Sequence, residues 1–332
     1  MSKRIIRIYD CSNSPERPKH DSENMGPAEN DIMRDLKKYS KTYNFEFVDN
    51  VDDAVVVITN DVFPSDIKNR NIFKVKRMDG IYWQDTLTYK NKVLNDAAFN
   101  SDLVIFISEF SQNSLNRLYQ FAYIKNSVVV LNNADTSIFK KIDVPDSIYN
   151  PYNKFTWAAS ASNWKRKEKR FQDLLVFAEK IAFEDRIFLI GKCDYGVPNN
   201  VTKFGYIESD EGKSRILNRA DAFINLSYRD AGSKIVCQAL ACKLPVLYAQ
   251  SGGVPELVKA YGLGISIYDS NTHIGKTPQL SIDDMKYSYL KFRNEYYDLR
   301  NKMKYKNTMD YQSTIKEYFE TIRKYFGNYK NE

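Results

Sequence analysis

Between Arg219 and Val258 the chain reads RADAFINLSYRDAGSKIVCQALACKLPVLYAQSGGVPELV, and three features of that stretch could do chemistry. Asp230 follows the strand-like run AFINLS (Ala222–Ser227) and so offers a carboxylate at a strand end, and Gln238 offers an amide eight residues further on. Ser251, Gly252 and Gly253 stand between the run PVLYA (Pro245–Ala249) and a helix expected to begin near Val254 or Pro255. Glycines in that position let backbone N–H groups approach a phosphate or a sugar hydroxyl, and a helix N-terminus adds the positive end of its dipole. The plainer alternatives are that Asp230 caps the next helix, Gln238 lies on the surface and the glycines only turn the chain.

A second candidate cluster is SNWKRKEKRFQDLL (Ser162–Leu175), with five cations among residues 165–170. Such a run is usually a solvated face, but its place after an expected strand and before an expected helix would let Lys165, Arg166 or Lys169 face an anionic ligand. A third is KRMDGIYW (Lys76–Trp83), where Asp79 supplies a carboxylate and Tyr82 and Trp83 could form a platform for stacking a sugar. An ordinary Asp-Gly turn after a strand is the alternative. In NMGPAEN (Asn24–Asn30), Gly26 precedes a helix expected to start at Pro27.

These residues need elements to position them. Strand-length apolar runs alternate with helix-length amphipathic segments: RIIRIYD (Arg4–Asp10), FEFVD (Phe45–Asp49), AVVVIT (Ala54–Thr59), IFKVKR (Ile72–Arg77), LVIFIS (Leu103–Ser108) and SVVVLN (Ser127–Asn132). That is the pattern of a parallel α/β sheet. A polar stretch from Asp143 to Asn153, broken by Pro145 and Pro151, reads as a linker. A second series follows it, with strands at FTWAAS (Phe155–Ser160), RIFLIG (Arg186–Gly191), VTKFGY (Val201–Tyr206), AFINLS and PVLYA, and helices near 169–182, 210–219 and 233–242. The expected organisation is therefore two Rossmann-like, doubly wound α/β domains, at 1–147 and 153–283. Tyr-, Lys- and Arg-rich helices over 284–332 are expected to pack back toward the first domain. Doubly wound sheets bind ligands at the carboxyl ends of their strands, so the site is expected in a cleft between the two domains.

Composition excludes several functions. No stretch approaches the roughly 20 apolar residues needed to cross a bilayer, and MSKRIIRIY lacks a signal-peptide core, so a cytosolic protein with at most peripheral membrane contact is expected. Cys11, Cys193, Cys237 and Cys242 have no CxxC spacing, and His20 and His273 are the two histidines, so buried free thiols are expected and no metal site. The net charge of +7 arises from 49 basic and 42 acidic residues spread along the chain, which suits no nucleic-acid partner in particular. No Gly-x-Gly-x-x-Gly follows the first strand of either half, which argues against a dehydrogenase.

The stretch from Arg219 to Val258 resembles the donor-binding core of the GT-B glycosyltransferases of family 4. In that family a strand is followed by Glu, seven residues, a second Glu, a small-residue helix, Gly-x-Pro-Val and Gly-Gly-x-x-Glu. NNADTSIFK (Asn132–Lys140) and FGYI (Phe204–Ile207) extend the likeness. The resemblance implies retaining transfer of a sugar from a UDP- or GDP-linked donor to a glycan or lipid-linked acceptor, with no cofactor and no catalytic metal. It implies that Asp230 contacts hydroxyls of the donor sugar and that Gln238, where the family has Glu, holds the ribose. Lys169 matches the Lys of the family's Lys-Gly, with Arg170 in place of the Gly, Lys165 takes the place of its Arg with Arg166 as the alternative, and these cations would neutralise the leaving diphosphate. Tyr206 and Ile207 would hold the base through their main chain, Gly26 would face the phosphates, Asp79 would substitute for a His that touches the donor sugar, and Tyr82 and Trp83 would lie at the acceptor side. Gln238 and Arg170 depart from the pattern, which leaves a noncatalytic homologue that binds a nucleotide sugar or glycan as the alternative.

Overall fold

The computed structural model of the protein describes residues 5–11, 28–82, 89–118, 124–142, 154–270, 276–306 and 311–330. The chain divides into two compact units, residues 1–131 with 312–332 and residues 132–311.

In the first unit, strands β1 (Ile6–Asp10), β2 (Phe45–Val48), β3 (Val56–Thr59), β4 (Phe73–Met78), β5 (Leu103–Phe106) and β6 (Ser127–Val129) form one parallel sheet in the order β2-β1-β3-β4-β5-β6. Its central strands are apolar without alternation because both faces are covered: Val56, Val57 and Ile58, and all of Leu103–Phe106, are fully buried. Helices α1 (Ala28–Tyr39), α2 (Ser65–Lys68), α3 (Tyr89–Phe99) and α4 (Glu109–Leu118) connect the strands.

The second unit contains β7 (Thr156–Asn163), β8 (Arg186–Lys192), β9 (Val201–Gly205), β10 (Ala222–Asn225), β11 (Val246–Ala249) and β12 (Gly264–Ile267), parallel and in the order β12-β11-β10-β7-β8-β9. Numbered from β7, this is the doubly wound order 3-2-1-4-5-6, whose winding reverses between its first and fourth strands, here β7 and β10. Helix α5 (Phe171–Val176) runs into a π turn at Phe177–Ile181, and α6 (Asp210–Leu217), α7 (Lys234–Ala241), α8 (Val254–Tyr261) and α9 (Ile282–Tyr305) follow. The unit begins at Asn132, ahead of the boundary expected at 153, because residues 138–142 are tied to α6: Ser214 Oγ donates to Ile138 O, Asn218 Nδ2 to Lys140 O, and Ile142 N to Asn218 Oδ1. The expected linker, 143–153, lies outside the described residues.

The C-terminal helices do not form one block. Helix α9 buries Met285, Phe292, Tyr296 and Leu299 in the core of the second unit, and Asp185 there accepts hydrogen bonds from Trp157 Nε1 at 2.9 Å and Tyr289 Oη at 3.1 Å. Helix α10 (Tyr311–Tyr329) packs instead in the first unit, where Phe319 stacks on Phe45 at 4.6 Å and Arg323 lies over the same ring at 4.9 Å. Among the described residues no helix is long and apolar enough to cross a membrane.

Candidate functional site

The strand order of the second unit makes the loops after β7 and β10 neighbours at the switch point. After β7, Trp164 seats the chain on β8 by donating from N to Lys192 O and from Nε1 to Ile190 O, each at 3.0 Å. A 3-10 turn at Lys167–Lys169 follows, and Arg170 adopts φ +52° before α5 begins. After β10, the chain passes through Tyr228, whose N–H donates to Glu168 O at 2.7 Å and joins the two loops. Across that seam Lys169 Nζ donates to Asp230 Oδ2 at 2.8 Å, linking side chains that are 61 residues apart and only 15% and 17% exposed. Burial by itself raises the Asp230 pKa, but the charge and hydrogen bond of Lys169, the charge of Arg166 and the Gly232 N–H outweigh it and hold the carboxyl below the usual range. Asp230 is thus an ionised carboxylate beside an ammonium at the place where a doubly wound sheet receives ligands.

The Ser251-Gly252-Gly253 turn is built around this carboxylate. Gly252 has φ +70°, and a Cβ on it would lie 2.2 Å from Asp230 O and 2.7 Å from Asp230 N. Gly253 N donates to Asp230 O at 2.8 Å, and Arg229 N donates to Ser251 Oγ at 2.9 Å. The close approach expected toward a phosphate or sugar is therefore made first to the Asp230 main chain, so the turn fixes Asp230. Asn132 contributes from the start of the unit: its Nδ2 donates to Gly232 O at 2.7 Å, and its carbonyl lies 3.3 Å from Cys237 Sγ. Sequence reasoning singled out the segment that contains Asn132 but not this function, which depends on a contact 100 residues away.

The cations after β7 separate into three environments. Arg166 pairs with Glu168, and its charge reaches Asp230. Lys165 Nζ instead pairs with Asp194 Oδ2 at 2.8 Å, with both side chains about half exposed. Arg170 is buried, with Nη1 donating to Asp269 Oδ2 at 2.9 Å and to Leu226 O at 3.4 Å, and Nε donating to Pro278 O at 2.9 Å. Of the two candidates for the arginine position, Arg166 is the one whose field acts on Asp230.

Gln238 is buried on α7, the helix that follows the Asp230 loop. Tyr206 and Ile207 come directly after β9, at the sheet edge. Tyr206 is half exposed, while Ile207 packs against the small cluster of Phe188, Ile190 and Ile216. Burial pushes the Cys237 thiol up to about 12 and the Cys242 thiol up to about 11, so neither is a thiolate nucleophile at neutral pH. Cys11 is likewise a buried free thiol, but Cys193 is only half buried. Among the described residues no three His, Cys, Asp or Glu side chains gather as a metal ion would require.

In the first unit, Asp79 forms an ion pair with the buried Arg77, whose Nε also donates to Tyr318 Oη at 3.1 Å. The Tyr82 main chain is clasped by Asn91, which accepts from Tyr82 N at 2.7 Å and donates to Tyr82 O at 2.8 Å. Gly26 and Trp83 lie outside the described residues.

Residues 192–274 match the family model described as Glycosyl transferases group 1. This span holds Asp230, Gln238 and the glycine turn but not Lys169. A search of curated protein sequences found no match. Among solved structures, HepE of Anabaena in complex with UDP and glucose is similar with TM-score 0.67 and 14% identity, over 96% of this chain and 100% of that one. Sucrose-phosphate synthase of Thermosynechococcus elongatus is similar with TM-score 0.65 and 12% identity, over 97% and 89%. WaaG, a glycosyltransferase involved in lipopolysaccharide biosynthesis, is similar with TM-score 0.65 and 12% identity, over 96% and 99%. Together with the two parallel six-stranded sheets, these likenesses identify the chain as a protein of the GT-B glycosyltransferase fold, with residues 192–274 of its second unit matching the glycosyl transferases group 1 model.

Proposed function

We propose that the protein transfers a sugar, with retention of configuration and without a catalytic metal, from a nucleoside-diphosphate donor to a hydroxyl on a glycan or lipid-linked acceptor. The observation that carries this reading is the Lys169–Asp230 pair at the switch point between β7 and β10. Cleaving a glycosyl–diphosphate bond builds negative charge on the leaving oxygen, and a fixed ammonium in a partly buried setting stabilises that charge more than one in water. Lys169 supplies it, with Arg166 as the second cation. Asp230 accepts hydrogen bonds from hydroxyls of the donor sugar, and its ionised state leaves both oxygens as acceptors. Gln238 accepts from the ribose, and the main chain at Tyr206 and Ile207 takes the base. Retention requires no protein nucleophile: the acceptor enters on the face the diphosphate leaves, and a leaving phosphate oxygen takes the acceptor proton. The UDP and glucose held by HepE of Anabaena favour a nucleotide sugar as the donor class.

A noncatalytic binding protein is the second reading, and the Gln at 238 favours it, because an amide lacks the charge-assisted clasp of a carboxylate. The Arg at 170 no longer does, since its side chain is a buried anchor and not a lost ligand. Hydrolysis of UDP- and GDP-sugars without acceptor separates the two. Slow release of nucleotide, lost in Lys169→Ala, is expected of a transferase, whereas donor affinity without any turnover would leave the binding reading.

A further inference from the structure

Arg170 sits where the resembling family has the glycine of its Lys-Gly, and its φ of +52° lies in the left-handed region that glycine enters most easily. An arginine meets a steric cost in that backbone, and its side-chain contacts offset it. Its guanidinium is anchored to Leu226 O just after β10, to Asp269 Oδ2 just after β12 and to Pro278 O ahead of α9, and it lies over the Tyr228 ring at 4.8 Å. Tyr228 is the residue whose N–H joins the β10 loop to Glu168, and two residues later comes Asp230. The arginine next to Lys169 thus grips the loop that carries Asp230. Asp173, 3.7 Å from Arg170 Nε, accepts from Leu280 N at 3.1 Å and closes the same knot.

We propose that Arg170 is a positioning residue: its side chain, and not the backbone freedom of glycine, sets Lys169 against Asp230, while it touches no ligand itself. This rests on Lys169 acting on the donor diphosphate, and the test separates the two ideas. Arg170→Gly relaxes the backbone and removes the anchors, Arg170→Lys keeps a cation facing Asp269, and Asp269→Asn weakens the grip from the other side should the glycine variant not fold. Each is titrated calorimetrically with UDP and GDP well below its Tm, beside Lys169→Ala, and the Asp230 carboxyl is followed by NMR against pH in protein labelled with 13C-aspartate.

The expected result is a folded Arg170→Gly that binds its nucleotide at least tenfold more weakly, with Asp230 titrating at higher pH than in the wild type, and with both effects partly reversed in Arg170→Lys. If Arg170→Gly only lowers Tm and leaves both nucleotide affinity and the Asp230 titration unchanged, Arg170 is merely structural and the proposal is overturned. If Lys169→Ala binds nucleotide like the wild type, the donor reading fails, and the Asp230 titration still decides whether Arg170 sets the pair.

Discussion

Gly252 rests so closely on Asp230 that a β-carbon would stand 2.2 Å from the Asp230 carbonyl oxygen, the same oxygen that accepts the Gly253 N–H. The glycine turn after β11 and the carboxylate after β10 are therefore one structural unit. A side chain at 252 has to move Asp230, and with it the 2.8 Å contact to Lys169.

Gly252→Ala is accordingly expected to be destabilising and inactivating together. The left-handed backbone alone costs an alanine about 1–2 kcal/mol, and the clash adds to it. Nucleotide-sugar hydrolysis should fall at least tenfold, or about 1.4 kcal/mol in the barrier. Gly196→Ala, where a Cβ meets nothing within 4 Å, is the control and should stay within about 0.5 kcal/mol of the wild type. Chemical denaturation and a turnover assay on both variants check this, and a fully active Gly252→Ala would show that the position of Asp230 does not matter.

The Lys169–Asp230 pair also has a pH signature. A carboxyl held below its unfolded value of about 3.9 contributes stability that is present above that pH and lost as pH falls through the lower folded pKa. Donor affinity that depends on ionised Asp230 should therefore survive acidification through pH 4 in the wild type, as far as the fold itself does. In Lys169→Met the largest remaining influence is burial, which raises the pKa, so the acid limb should move to higher pH. Lys169→Met should also be less stable by about 1–3 kcal/mol, because it leaves a mostly buried carboxylate without its cation. Calorimetric titrations over a pH series decide it, and superimposable acid limbs would separate Asp230 from donor binding.

Much of this architecture was legible because the central strands are long apolar runs. Val56–Thr59 of AVVVIT and all of LVIFIS are buried, and such runs alternating with helix-length segments admit few folds. The short edge strand β12 (Gly264–Ile267) escaped notice because four residues beside glycines carry too little pattern. Asp230 and Lys169 could be named separately, but nothing local to either says that one meets the other. Long-range contacts leave no periodicity, and the same holds for Asn132, which holds Gly232 from 100 residues away. The left-handed Arg170 was hidden for the opposite reason. One arginine among five cations reads as solvated, and only the fold shows it buried against Asp269.

Arg166 and Lys165 are adjacent in the sequence and distinct in the structure. Because the charge of Arg166 acts on Asp230 while Lys165 is engaged with the exposed Asp194, Arg166→Ala should weaken nucleotide binding about tenfold and Lys165→Ala by less than twofold. Arg166 is itself about half exposed, so its effect should shrink at 0.5 M salt as that of a surface charge does. Equal losses in the two variants, or a larger one in Lys165→Ala, would reverse the assignment.

Gln238 tests whether the nucleotide lies along α7. If its amide oxygen accepts a ribose hydroxyl, Gln238→Glu should tighten binding, since a carboxylate accepts stronger hydrogen bonds and can engage both hydroxyls. The gain should be a few-fold in Kd, about 1 kcal/mol, because position 238 is buried and a new charge there carries a desolvation cost close to a diphosphate of the same sign. Gln238→Ala should lose a similar amount, and that loss should be smaller for a 2′-deoxy nucleotide, which lacks one of the hydroxyls. Titration of the three proteins with ribo and deoxyribo forms of the best-binding nucleotide gives the answer. Equal affinities throughout would mean that Gln238 does not touch the ribose, and that its buried amide serves the packing of α7 instead.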